Sequence, residues 1–147
     1  MKYTELTTKA MQISYKAHEG QYDKGGVPYV FHPFHVAEQM DTEDEICVAL
    51  LHDVIEDTDC SIKDLERAGF PDNILEAVKC LTKDKNIKYM DYILKVKSNP
   101  LAKKVKLADI EHNSDISRMK SFDDKTVERL KEKYKLAKEE LERKYMI

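Results

Sequence analysis

The stretch Glu43–Asp57, EDEICVALLHDVIED, decides how the chain folds. Thr42, just before it, and Glu45 fit a capping box that starts a helix. From there Ile46, Val48, Ala49, Leu50, Leu51, Val54 and Ile55 cannot be placed on one helical stripe. A helix that is apolar nearly all round belongs in the middle of a domain, with other elements packed on it from several sides. The spacing predicts one continuous central helix over residues 43–57.

Helical periodicity continues on both sides of it, period-two alternation hardly occurs, and four glycines and four prolines punctuate the chain. The expected class is all-α. Upstream, Leu6, Ala10, Ile13 and Ala17 mark one face of a first helix ending near Gly20, followed by the only glycine-rich loop, residues 21–28. His32-Pro33 opens the next helix, with Pro33 in the first turn, where its missing N–H costs nothing, and Val36, Ala37 and Met40 facing inward. Downstream, short helices are expected from Ser61 to Ala68, stopped by Gly69, from Asp72 to Leu81, and around Tyr89, Tyr92, Ile93 and Val96. Asn99-Pro100 starts a further helix whose inner side reads Leu101, Val105, Ala108, His112, Ile116 and Met119. Val127, Leu130, Tyr134, Ala137 and Leu141 mark a long last one.

At 147 residues the chain is the size of one domain, and no linker, repeat or low-complexity segment divides it, so residues 1–147 are read as a single domain. Acids outnumber bases by 28 to 25 and the bases form no stripe, which argues against long nucleic acid as a partner and leaves room for a small anionic one. No stretch approaches a membrane span, and the residues after Met1 carry no apolar signal core. Cys47, Cys60 and Cys80 are odd in number and not closely paired, which suits a reducing compartment. The expected location is cytoplasmic. Tyr134 and Tyr145 would suit a homo-oligomer contact, although core packing is the commoner role for such residues.

The same central helix carries the chemistry. His52, Asp53, Glu56 and Asp57 fall within an arc of about 140° on its surface. Three carboxylates crowded on a core-like helix repel one another, and burying them unpaired costs several kcal/mol each. No Lys or Arg lies between Lys24 and Lys63 to pair with them. A metal cation is the more economical partner, with a base from a distant helix as the alternative. Asp109 lies beside the stripe of the Asn99-Pro100 helix, where an ion pair with Lys106 or Arg118 would also explain it. His32 alone could be a helix cap. Together His32, His52, Asp53 and Asp109 supply two imidazoles and two carboxylates, a mixed N and O set suited to one divalent transition ion such as Mn²⁺, Fe²⁺ or Zn²⁺, with Mn²⁺ first.

Four segments, Tyr29-Val-Phe-His32-Pro33, Ala49–Thr58 with His52-Asp53 and Glu56-Asp57, Leu81-Thr82-Lys83, and Val105–Asp109 followed by His112-Asn113, occur in this order. In that order they resemble the HD-type hydrolase half of the RelA/SpoT-type alarmone enzymes, and more closely their small stand-alone forms. The resemblance runs from about His18 to Arg118. It implies a compact helical HD-domain bundle with His32, His52, Asp53 and Asp109 as metal ligands. It implies further that Glu56 and Asp57 are the catalytic pair managing the attacking water, and that Asn113 is a substrate contact. Lys24, Lys106 and Arg118 are the further candidates for binding the anionic group. The implied activity is metal-dependent phosphohydrolysis of a small phosphorylated nucleotide, with (p)ppGpp 3′-pyrophosphohydrolysis as the specific form. The alternatives are a nucleotidase or phosphatase for another phosphorylated metabolite, and a nucleotide-binding HD module without turnover. No stretch resembles the family's synthetase half. Two positions depart from the alarmone pattern: Asp23-Lys24 stands where an Arg-Lys pair is usual, and Ile110 where an arginine is usual. Two missing positive charges predict poor binding of a substrate with two pyrophosphate groups, and predict that Asp23→Arg improves it.

Overall fold

The computed structural model describes residues 1–144; Tyr145 therefore lies outside the described residues. The order of helices is α1 (Glu5–Ala17), α2 (Phe31–Glu38), α3 (Glu43–Leu51), α4 (Val54–Asp57), α5 (Ile62–Arg67), α6 (Asp72–Leu81), α7 (Tyr89–Lys97), α8 (Pro100–Asn113), a 3₁₀ turn (Ile116–Met119) and α9 (Asp124–Glu142). Among the described residues the only extended pairing is an isolated antiparallel bridge between Tyr22 and Pro28. The class is all-α, as expected from the periodicity.

Helix α3 is the axis of the bundle. Every residue from Ile46 to Leu51 is fully buried, and α1, α2, α6 and α8 pack around it. The capping box forms: Thr42 Oγ1 accepts from the Glu45 N–H at 3.2 Å while Glu45 Oε1 accepts from the Thr42 N–H at 3.2 Å. Two of the four N–H groups that a helix start leaves unpaired are thereby satisfied.

The continuous helix over residues 43–57 does not form. The α-helical ladder stops at Leu51, Asp53 sits at φ −104°, ψ −2°, and the four-residue α4 follows. The break has a local cause. His52 Nδ1 lies 2.5 Å from the Ala49 carbonyl, the acceptor that a continuing helix would offer to the Asp53 N–H. Once an imidazole takes that carbonyl, Asp53 turns into the bridge region of backbone space. The side chains of residues 52 and 53 then converge instead of standing 100° apart.

Two other helices differ in detail from their patterns. On α8 the buried face is Ala102, Val105, Asp109 and Ile110, so Asp109 lies within the buried stripe and not beside it. Ile116, expected on the inner side, is exposed beyond the helix end. On α9 only Ala137 and Leu141 are buried; Val127, Leu130 and Tyr134 are half-buried. The loop over residues 21–28 folds back on itself through Asp23 N–H to Val27 C=O at 2.8 Å and Tyr29 N–H to Gln21 C=O at 2.9 Å. Gly26 makes that possible at φ 86°, a conformation that costs other residues about 1–2 kcal/mol. No helix among the described residues is long and apolar enough to cross a membrane.

Candidate active site

Three separate parts of the bundle bring the expected ligands together. His32 comes from the first turn of α2, His52 and Asp53 from the α3–α4 break, and Asp109 from the buried face of α8. Each offers one ligand atom, and those atoms all lie within 4.8 Å of one another. Asp109 Oδ1 is 2.7 Å from His32 Nε2 and 3.3 Å from His52 Nε2. Asp53 Oδ2 is 3.1 Å from His52 Nε2 and 3.8 Å from His32 Nε2.

This geometry calls for a cation at its centre. With Nδ1–H of His52 donating to Ala49, a neutral ring leaves a bare lone pair on Nε2, facing carboxylate oxygens of Asp53 and Asp109. Burial opposes charge on His52, yet the two carboxylates raise its pKa well above the ordinary imidazole value. Burial likewise opposes ionisation of Asp53, but His52 holds that carboxyl down at about 2. A proton on His52 is one cation that satisfies the cluster. A divalent ion is the other, since donors ~2.1 Å from such an ion stand roughly 3 Å apart around it, the spacing seen here.

The ligands are themselves held. Tyr29 OH donates to Asp53 Oδ2 at 2.6 Å. The other Asp109 oxygen, Oδ2, accepts from Lys106 Nζ at 2.8 Å, and Asn113 Nδ2 donates to Asp109 Oδ1 at 3.1 Å. His32 Nδ1 lies 2.7 Å from Nδ1 of His112, whose ring stacks on His35 at 3.9 Å. One of the two Nδ1 atoms must carry the proton. Burial, with the nearby Arg118 charge, lowers the His112 pKa to about 4, so His112 is neutral. In the tautomer with the shared proton on His32 Nδ1, His32 Nε2 presents a lone pair to the cluster, and His112 is the outer support that metal-binding histidines commonly have.

Asp53 and Asp109 of the cluster line a cavity of about 300 Å³. Glu56 and Asp57 line it as well. Glu56 Oε1 accepts from the Lys83 N–H at 2.6 Å, and the Asp57 carbonyl accepts from Gln21 Nε2 at 2.9 Å. Partial burial, then the charges of Asp53 and Glu56, push the Asp57 carboxyl up to about 6. A second cavity, of about 640 Å³, adjoins the first and shares Tyr29, Asn113 and Tyr134 with it.

The candidate substrate contacts are placed less uniformly. Asn113 lines both cavities, but its carbonyl oxygen accepts from Arg118 at 2.9 Å. Lys106 lines the first cavity and is already paired with Asp109 Oδ2, so the ion pair that the sequence offered for Asp109 forms while its Oδ1 faces both imidazoles. Lys24 is exposed on the second cavity, its ammonium 5.8 Å from the Phe122 ring. Sequence patterns did not single out Tyr29 as a support of Asp53, and placed His112 only in an apolar stripe. They also gave α9 no part in the site, although Lys133 and Tyr134 line the first cavity.

Comparison with known proteins agrees with this arrangement. The HD domain profile matches residues 10–119. The guanosine-3′,5′-bis(diphosphate) 3′-pyrophosphohydrolase of Vibrio cholerae serotype O1 is 39% identical over 97 residues, which are 60% of this chain and 14% of that protein. The bifunctional (p)ppGpp synthase/hydrolase SpoT of Escherichia coli strain K12 is 37% identical over 87 residues, 56% of this chain and 12% of that protein. The GTP pyrophosphokinase of Streptomyces coelicolor is 31% identical over 118 residues, 71% of this chain and 14% of that one. The chain thus spans about one-seventh of the length of these relatives. A solved structure, of a metazoan ortholog of SpoT that hydrolyzes ppGpp and plays a role in starvation responses, superposes with a TM-score of 0.65 at 24% identity, covering 96% of both chains. The profile matches more than half of the chain, and the chain belongs to the HD-domain family.

Proposed function

We propose that this chain is a metal-dependent phosphohydrolase acting on a small phosphorylated nucleotide, with His32, His52, Asp53 and Asp109 holding one divalent ion. The observation that carries the reading is the convergence of those four ligand atoms, from three parts of the bundle, beside a cavity that Asp53 and Asp109 line together with Glu56 and Asp57. When bound, the ion supplies Lewis-acid stabilisation of phosphoryl charge and favours deprotonation of water beside it. Mn²⁺ fits the mixed nitrogen and oxygen donors.

The remaining steps belong to the chain's own side chains. Asp57, with its carboxyl near 6, is matched to accept a proton from water at neutral pH, and Glu56, fixed by the Lys83 N–H, orients that water. Water oxygen bonds to phosphorus, the P–O bond to the nucleoside breaks, and the leaving oxygen takes up a proton. For ppGpp the products are GDP and pyrophosphate; the names of the Vibrio and Escherichia relatives support that substrate. The three cysteines are free, which fits a reducing cytoplasm. The reading is tested by metal-supplemented turnover of ppGpp beside a panel of nucleoside phosphates. Hydrolysis of none of them would end it.

One feature favours a second substrate class, a nucleotide with a single phosphate. Lys106 is spent on Asp109, and Arg118 on Asn113 and Asp23, which leaves few free cations for an anion as highly charged as ppGpp. Faster turnover of a monophosphate than of ppGpp would select this reading.

A further inference from the structure

Helix α9 lies beyond the part of the chain that matches the HD domain profile, yet it closes one side of the reaction cavity with Lys133 and Tyr134. Among the described residues Lys133 has no carboxylate partner. Its ammonium stands 4.3 Å from the centre of the Tyr89 ring and 5.9 Å from that of Tyr134, an aromatic seat that positions a cation without neutralising it. Its surroundings are unfavourable for an unpaired charge. The side chain is half-buried; burial first, then the like charges of Lys106, Arg129 and Lys83, lower its pKa, against the Asp109 carboxylate. Of these neighbours, Lys106 is already neutralised by Asp109. The cavity is lined by Asp53, Glu56 and Asp57 and also by Lys133, Lys83 and Lys106.

A half-buried ammonium kept among cations gains from an anion, and the cavity beside it has room for a phosphoryl or pyrophosphoryl group. We propose that Lys133 is the substrate-phosphate anchor of the site, contributed by α9 and seated on Tyr89. This rests on the phosphohydrolase reading for its substrate class but makes a separate claim, that the cavity binds phosphate through this residue. Arrival of a phosphate oxygen at Nζ would supply the counter-charge that the chain does not.

The experiment measures pyrophosphate binding by calorimetry to metal-loaded protein, for the wild type, Lys133→Met and Lys133→Arg, each checked first for metal content and thermal midpoint. Methionine keeps the aliphatic stem over Tyr89 and removes the charge; arginine restores the charge. Lys133→Met is expected to weaken pyrophosphate by about tenfold to a hundredfold with metal content unchanged, and Lys133→Arg to recover most of the loss. In turnover assays the methionine variant should raise KM more than it lowers kcat. Pyrophosphate binding equal to wild type in metal-loaded Lys133→Met, or no binding by the wild type, overturns the anchor. Lys133-dependent binding by a wild type that turns over no phosphoester leaves the anchor standing and removes the phosphohydrolase reading instead.

Discussion

At the scale of single residues, Asp53 and Asp109 are the most exposing tests of the ligand set. Each touches both imidazoles, so either change to alanine leaves the remaining groups without the charge that a divalent ion needs. Protein purified without chelator should carry about one equivalent of metal, and either alanine variant should lose most of it by elemental analysis. Full occupancy in either would mean a different ligand set. Asp57 gives a pH test. Its carboxyl is raised to about 6, and only the ionised form accepts a proton, so kcat/KM should rise with pH up to about 6 and level off above it. A bound cation offsets the Asp53 charge that helps raise this pKa, so the limb in the metal-loaded enzyme should fall at or below 6. Asp57→Asn should remove turnover while keeping the metal; near-normal hydrolysis by this variant would exclude Asp57 as the base.

Residue 23 has partners in its own chain that comparison with a family pattern does not show. Compared with an alarmone pattern, Asp23 is a lost positive charge, which predicts that Asp23→Arg improves ppGpp binding. In the folded chain Asp23 Oδ1 accepts from the Gly25 and Val27 N–H groups at 2.9 and 3.0 Å, and Oδ2 stands 3.8 Å from Arg118, which in turn holds Asn113. An arginine there would undo the turn and set like charges side by side. Asp23→Arg is now expected to lower kcat/KM on any substrate, and steady-state kinetics of the two forms would show a gain if the sequence argument were right. Ile110 is buried next to Asp109 and itself lines neither of the two site cavities. A residue compared with a pattern carries no information about which partners its own chain has provided for it.

At the scale of elements, what could be read from sequence was what depends on local pattern. The Thr42 and Glu45 cap, the Pro33 and Pro100 helix starts, and the all-round burial of α3 follow from spacing and side-chain chemistry alone, and each stands in the structure. The break at His52-Asp53 was not legible, because it depends on an imidazole competing for the Ala49 carbonyl, a contact that hydropathy does not register. The place of Asp109 inside the buried face was also missed, since a carboxylate reads as a surface residue until its partners Lys106, His32 and His52 are known. For α3 the energetic consequence is direct. Leu50 is fully buried on the central helix, and Leu50→Ala should cost about 2–5 kcal/mol in urea denaturation, through lost burial and the cavity left behind. A loss under ~1 kcal/mol would mean that the core repacks around the site, and α3 would not be the rigid axis described.

At the scale of the whole molecule, the site and the fold have separable sources of stability. The core runs from Ala10 to Leu141 and contains more than twenty buried apolar residues, so the bundle is expected to fold without an ion. An ion in the proposed site would nonetheless be held by α2, the α3–α4 break and α8, elements that could then separate only on its release. Binding to the native state alone adds RT ln(1 + [M]/Kd), about 2.7 kcal/mol at a metal concentration about a hundredfold above Kd. For a domain of this size that corresponds to roughly 5–11 °C in the thermal midpoint. Calorimetric scans of chelator-treated protein should therefore show one cooperative transition, lowered by that amount and restored by added Mn²⁺, with no restoration in Asp109→Ala. A midpoint indifferent to chelator and metal would separate the His-Asp cluster from any resident cation. Loss of the transition on chelation would instead make the ion part of the core, contrary to the burial seen around α3.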